Sequence, residues 1–136
     1  MYRPITVSAL MLAAALVVGC AEDDLPTTPT DPPTAITQSI TGTLTPNGGV
    51  THTFTVERAG DVSARIDSLS PEATIGISLG PMSVQACSLS VAQDSAVATT
   101  TIAGTASSAG SFCLRVFDSA GRLTSPVDYA ITLRHF

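Results

Sequence analysis

From Ile36 to Phe136, apolar side chains recur at every second position in short runs, and turn residues separate the runs. That spacing turns one face of each run toward a core and the other toward water. It is the signature of antiparallel strands, not of helices. Ser39–Leu44 is the first expected strand, and Pro46-Asn47-Gly48-Gly49 is a turn. In Val50–Arg58, Val50, His52, Phe54 and Val56 share one face, and Thr51, Thr53 and Thr55 the other. After Ala59-Gly60-Asp61, Val62, Ala64 and Ile66 share a face, as do Ile75, Ile77 and Leu79 in the following run, which Gly80-Pro81 is expected to end. Cys87, Leu89 and Val91 then alternate, Val97–Ile102 reads as a Thr-rich strand, and Phe112, Leu114 and Val116 alternate with Cys113, Arg115 and Phe117. Tyr129, Ile131 and Leu133 form the last run. About eight short strands at this spacing predict an all-β fold, an antiparallel β-sandwich of jelly-roll type.

Two other all-β architectures fit less well. A membrane barrel commonly ends in an aromatic residue with apolar residues at alternate positions before it. Here Phe136 follows Arg134 and Thr132, and the strands are few and short. An immunoglobulin-like sandwich is disfavoured by the absence of Trp and by the cysteine placement.

The chain ahead of Ile36 has a different composition. Arg3 and the amino terminus precede an uncharged apolar run, Ile5–Val18, too short for a comfortable membrane span, and then Val17-Val18-Gly19-Cys20. This resembles the lipobox of bacterial lipoproteins. The resemblance implies a signal peptide over 1–19, cleavage before Cys20, and a thioether-linked diacylglycerol on that cysteine, a membrane contact made through lipid. Ala21 at the next position favours the outer membrane in a diderm cell over retention at the inner one. Residues 20–35 then read as a tether rich in Pro, Thr and acidic groups, extended to roughly 45 Å near polyproline geometry. Residues 36–136 form the sandwich domain.

Within that domain, Gly42-Thr43-Leu44, Gly48-Gly49, Thr53-Phe54-Thr55-Val56, Gly60 and Val62 resemble the opening of bacterial pre-peptidase C-terminal domains. Gly110–Val116 and Asp128–Leu133 resemble their closing strands. Such domains are β-sandwiches appended to exported proteins, and some relatives bind calcium or polymeric substrates. The carboxylates that commonly precede the aromatic residue of the second strand are missing here, where the stretch is Val50-Thr51-His52-Thr53, so no calcium site carries over.

The remaining chemistry is sparse. With Cys20 used for lipid, Cys87 and Cys113 form an even pair, which in an exported domain is expected to be a disulfide. Cys87 shares a face with Leu89 and Val91, whereas Cys113 lies opposite Phe112, Leu114 and Val116. The bridge therefore requires a bulge, or a second apolar layer shared with Phe117. No zinc spacing and no nucleophile elbow is present, so no cofactor and no catalytic residue is expected. His52 reads as a partly buried structural histidine and His135 as an exposed one. Asp94, Asp118 and Asp128 sit at loop edges, where carboxylates commonly serve turns. The chain has no Lys, and after cleavage five arginines face eleven Asp and Glu, a net of −6. That balance excludes a nucleic-acid partner.

The expected function is a non-catalytic envelope lipoprotein with a binding or accessory module, whose partner is an envelope protein or glycan. The expected contact loops are Ser68–Thr74, Gly80–Ser83, Ala103–Gly110 and Ser119–Val127, the last carrying Gly121-Arg122-Leu123. A small hydrolase with a loop-built site and a purely structural envelope lipoprotein are the alternatives.

Overall fold

The computed structural model of the protein describes residues 33–84 and 86–136. The expected signal peptide, Cys20 and tether residues 20–32 lie outside the described residues. Nine strands are described: β1 (Ile36–Leu44), β2 (Gly49–Val56), β3 (Gly60–Ser70), β4 (Ile75–Ser83), β5 (Ala86–Cys87), β6 (Val91–Ala96), β7 (Thr101–Ala106), β8 (Gly110–Phe117) and β9 (Val127–His135). One sheet has the order β1-β9-β3-β7. The other has the order β2-β8-β4, with β6 and the short β5 sharing the far edge of β4. Every pairing is antiparallel. With β5 set aside, two four-stranded sheets in this order make a jelly roll, as the strand spacing predicts.

The inward faces supply the core. Leu44, Val56, Ile66, Ile75, Ile77, Leu114, Val116, Ile131 and Leu133 are wholly buried between the sheets. Each sits at the parity that the period-two pattern assigns. The first turn also follows the sequence. Pro46 presets its own φ, Asn47 takes the left-handed conformation (φ 57°), and Gly48 N–H donates to Thr45 C=O at 2.9 Å.

The stretch from Gly80 to Gly110 departs from expectation. Gly80-Pro81 does not end the fourth strand, which runs on to Ser83. In an antiparallel ladder, a residue's N–H and C=O point at the same neighbouring strand. Pro81 C=O accepts from Ser88 N–H at 3.0 Å, so the donor that proline lacks is missing from the bulged side and not from the ladder to β8. Between the pairs Leu79↔Val91 and Met82↔Cys87, β4 contributes two residues and the returning chain three. This β-bulge reverses the parity of Cys87 relative to Val91. Leu89, expected on the core face, is 53% exposed. Val97–Ile102 is not one strand. A turn closes over Val97–Thr100, with Thr99 at φ 76° and Thr100 N–H donating to Val97 C=O at 3.0 Å. Thr99 N–H and Thr100 C=O bond both backbone groups of Ile66, which ties the turn to β3. β7 then takes up part of the expected Ala103–Gly110 loop and leaves only residues 107–109 between strands.

The bulge accounts for the Cys87–Cys113 disulfide. Met82 and Cys113 both point away from the core, and the parity change puts Cys87 on that same outer face. In the ladder β4 lies between the two cysteines, and two strand spacings would separate them by about 9.5 Å. Their Cα atoms are 5.7 Å apart, so β5 curls over the outside of β4 instead of continuing the sheet. The strap passes over Gly80. Cys113 Sγ lies 3.2 Å from Gly80 O, and a Cβ on Gly80 would sit 1.5 Å from Ser88 O.

Three outcomes follow. Gly80→Ala should lower the melting temperature sharply, because the obstacle is backbone; overpacking of this kind costs about 1–3 kcal/mol or more. Gly104→Ala, whose new methyl meets only Val91 Cγ2 at 3.2 Å, should cost much less in the same melt. Reduction of the disulfide should destabilise the domain by roughly 3.5 kcal/mol on chain-entropy grounds, read as a shifted urea midpoint with and without reductant.

Candidate functional site

The strand registers define two ends. Ile36 pairs with His135 at one end of the first sheet, and Leu44 pairs with Val127 at the other. The turn at 45–48, the loop at 71–74, the turn at 97–100 and the loop at 118–126 all gather at the second end. The chain therefore enters β1 at one end of the sandwich and carries four connections at the other.

Asp118 organises this loop-bearing end. Its Oδ2 accepts from Asn47 N–H at 2.8 Å, and its Oδ1 from Arg122 N–H at 2.8 Å and Leu123 N–H at 3.2 Å. One carboxylate thus ties the first turn to the last loop, the turn-serving role expected of a loop-edge Asp. Desolvation pushes its pKa up, but the N–H donors of Asn47, Leu123 and Arg122, with the Arg122 guanidinium, outweigh that and hold it below the usual value. Asp118–Leu123 includes a tight turn over Ser119–Gly121 in which Ala120 (φ 60°) and Gly121 (φ 62°) are both left-handed. A Cβ on Gly121 would lie 2.6 Å from Asn47 Oδ1, so the glycine is fixed by conformation and by space.

Two open grooves flank the 71–74 loop. One is lined by Leu69, Glu72, Ala73, Thr74, Val97 and Ala98. The other lies between residues 71–74 and 122–125, above Val127. Glu72 and Arg122 bring opposite charges to the second groove, and Arg122 donates to Ser95 Oγ at 3.3 Å. Val97, 47% exposed, gives the first an apolar rim. Of the expected contact segment, Gly121 and Arg122 are exposed, but Leu123 is turned into the core. The expected loop at Gly80–Ser83 is strand, and Ser68–Ser70 belong to β3.

Both histidines face inward on the flank formed by β1 and β2. His52 Nε2 lies 2.7 Å from the Tyr129 hydroxyl across the two sheets, with the rings edge to face. Burial lowers the His52 pKa and raises that of Tyr129. His135, expected to be exposed, is buried. It stands on the inward face of β9, stacks on Phe54 at 5.2 Å, and places Nε2 2.9 Å from the Gln38 amide nitrogen. Proximity to the end of the sequence misled; the parity of Tyr129, Ile131 and Leu133 extended by two residues would have placed it correctly. His52 meets a phenol from the facing sheet, and the contact joins the two sheets. Among the described residues, no three His, Cys, Asp or Glu side chains are grouped to hold a metal ion.

A comparison with protein-family models finds no match, and a search of curated proteins finds none.

The His52–Tyr129 pair has a pH consequence. Below the ordinary histidine value of 6.5 the unfolded chain binds a proton that folded His52 resists, so stability is complete above that value and falls on acidification. Above the ordinary tyrosine value of 10.0 the unfolded chain loses a proton that folded Tyr129 retains, so stability falls again. Urea midpoints measured from pH 5 to 7 should rise with pH in wild type, and the slope should flatten in His52→Phe.

Proposed function

We propose that this chain is an envelope lipoprotein, anchored through lipid on Cys20, that presents the loop-bearing end of its sandwich to another envelope protein and turns over no substrate. The observation that carries the reading is positional. Both grooves open at the end of the sandwich opposite the point where the chain enters β1.

The export reading rests on Arg3, the apolar run Ile5–Val18 and the lipobox at Val17–Cys20, with Ala21 favouring the outer membrane of a diderm cell. The likeness to pre-peptidase C-terminal domains points the same way, toward an accessory module. A protein partner is favoured over a glycan because no aromatic side chain lines either groove to act as a sugar platform. Apolar Val97 and Leu69 beside the Glu72 and Arg122 charges offer the mixed surface that protein contacts use. The proposal includes no metal and no cofactor.

Two measurements test it. Cys20→Ser should move the protein out of the membrane fraction or leave it uncleaved, whereas an unmodified Cys20 by intact mass in membrane-purified wild type overturns the anchor. Glu72→Arg combined with Val97→Glu should abolish chemical crosslinking to envelope proteins in intact cells, with wild-type melting. Unchanged crosslinks, or measurable hydrolysis by the wild-type domain, overturn the presenting role.

A further inference from the structure

Among the described residues β1 is an edge strand. It pairs with β9 over nine consecutive residues without a bulge, and no other described strand pairs with it. Proteins usually blunt such an edge with a charge, a proline, a bulge or a short length. β1 has none of these: its sequence, ITQSITGTL, is neutral and proline-free throughout.

We infer that β1 pairs with β1 of a second copy of this chain, antiparallel about a two-fold axis at Ile40, so that the β1-β9-β3-β7 sheet continues from one copy into the other. The strand is self-complementary in that register. On the outer face Ser39 lies opposite Thr41 of the second copy, and Thr37 opposite Thr43, so every cross-strand pair is hydroxyl to hydroxyl. On the inner face Ile40, half-buried in the single chain, meets its own counterpart; Ile36, 41% exposed, stands opposite Leu44, which is already wholly buried in its own core.

The charges on β9 agree with this register. Arg134 stands beside Thr37 and Asp128 beside Thr43, so each outer row of the joined sheet has arginine at one end and aspartate of the other copy at the far end. Three strand spacings separate them by about 14 Å, beyond the physiological screening length of about 8 Å. The benefit is therefore that no like charges are brought together, not a strong attraction. The free edge of β2 is also neutral, but its inward side chains Val50, His52, Phe54 and Val56 are all buried or half-buried, whereas β1 keeps the inward Ile36 41% exposed. The groove beside Leu69 and Val97 lies toward β3 and β7, on the other flank, so pairing through β1 leaves it free; the two loop-bearing ends point in opposite directions, each beside the Ile36 end of the other copy.

The test is disulfide trapping in cells producing the full chain. Ser39→Cys with Thr41→Cys should give a covalent dimer on non-reducing gels, and Thr37→Cys with Thr43→Cys, opposite each other about the same axis, should do so as well. The second pair decides the matter if the first does not accumulate. Thr51→Cys with Thr53→Cys on β2 should give no dimer. Failure of both β1 pairs, equal dimer from the β2 pair, or β1 adducts only to a different protein would each overturn the inference.

Discussion

Two sheets holding each other's apolar faces away from water is the contact on which everything else in this domain depends, and the side chains available for it are small. Trp is absent from the sequence, and only four Phe and two Tyr occur. Ile, Leu, Val and Ala therefore fill the space between the sheets, with Phe54 and Tyr129 as the large buried rings. A core of short aliphatic groups lets the sheets approach closely but buries modest area per residue. The polar groups inside it are correspondingly economical. His52 is matched to Tyr129, and His135 to Gln38, so that each imidazole crossing the interior finds a partner.

The same scarcity explains the strap on the outer face. A sandwich with a light core gains from a covalent link, and here the link runs over β4 between the cysteines of β5 and β8. It depends on three local features acting together: a glycine at position 80, a proline at 81 whose lost donor faces the bulge, and the bulge that turns Cys87 outward.

Much of the architecture could be read from alternation. The faces of β2, β3, β8 and β9 follow from counting by two, and the β-sandwich class follows from the number and spacing of the runs, whereas the strand order comes from the pairing alone. The errors cluster where counting by two breaks down. A bulge shifts parity without leaving a compositional mark, so Leu89 was assigned to the core although it is exposed. A turn whose left-handed residue is Thr99 looks like strand, because β-branched residues rarely adopt that conformation. Leu123 sits among loop residues yet is buried, and only the Asp118 hydrogen bonds show why its backbone turns inward. The grooves beside the 71–74 loop were legible only as loops, since their walls come from segments far apart in sequence.

The register of β1 with β9 also sets how the domain meets a pulling force. The chain enters at Ile36, while the grooves lie at the end where Leu44 faces Val127. Tension applied between Ile36 and the loop-bearing end runs along β1, parallel to β9. The bonds between antiparallel strands stand perpendicular to that line. Such a load shears all nine register positions at once, and does not peel them open one at a time. Anchored at the opposite end of the same strand, an identical ladder would unzip from its first pair. The placement of the entry point thus makes the longest uninterrupted pairing in the domain its mechanical clamp.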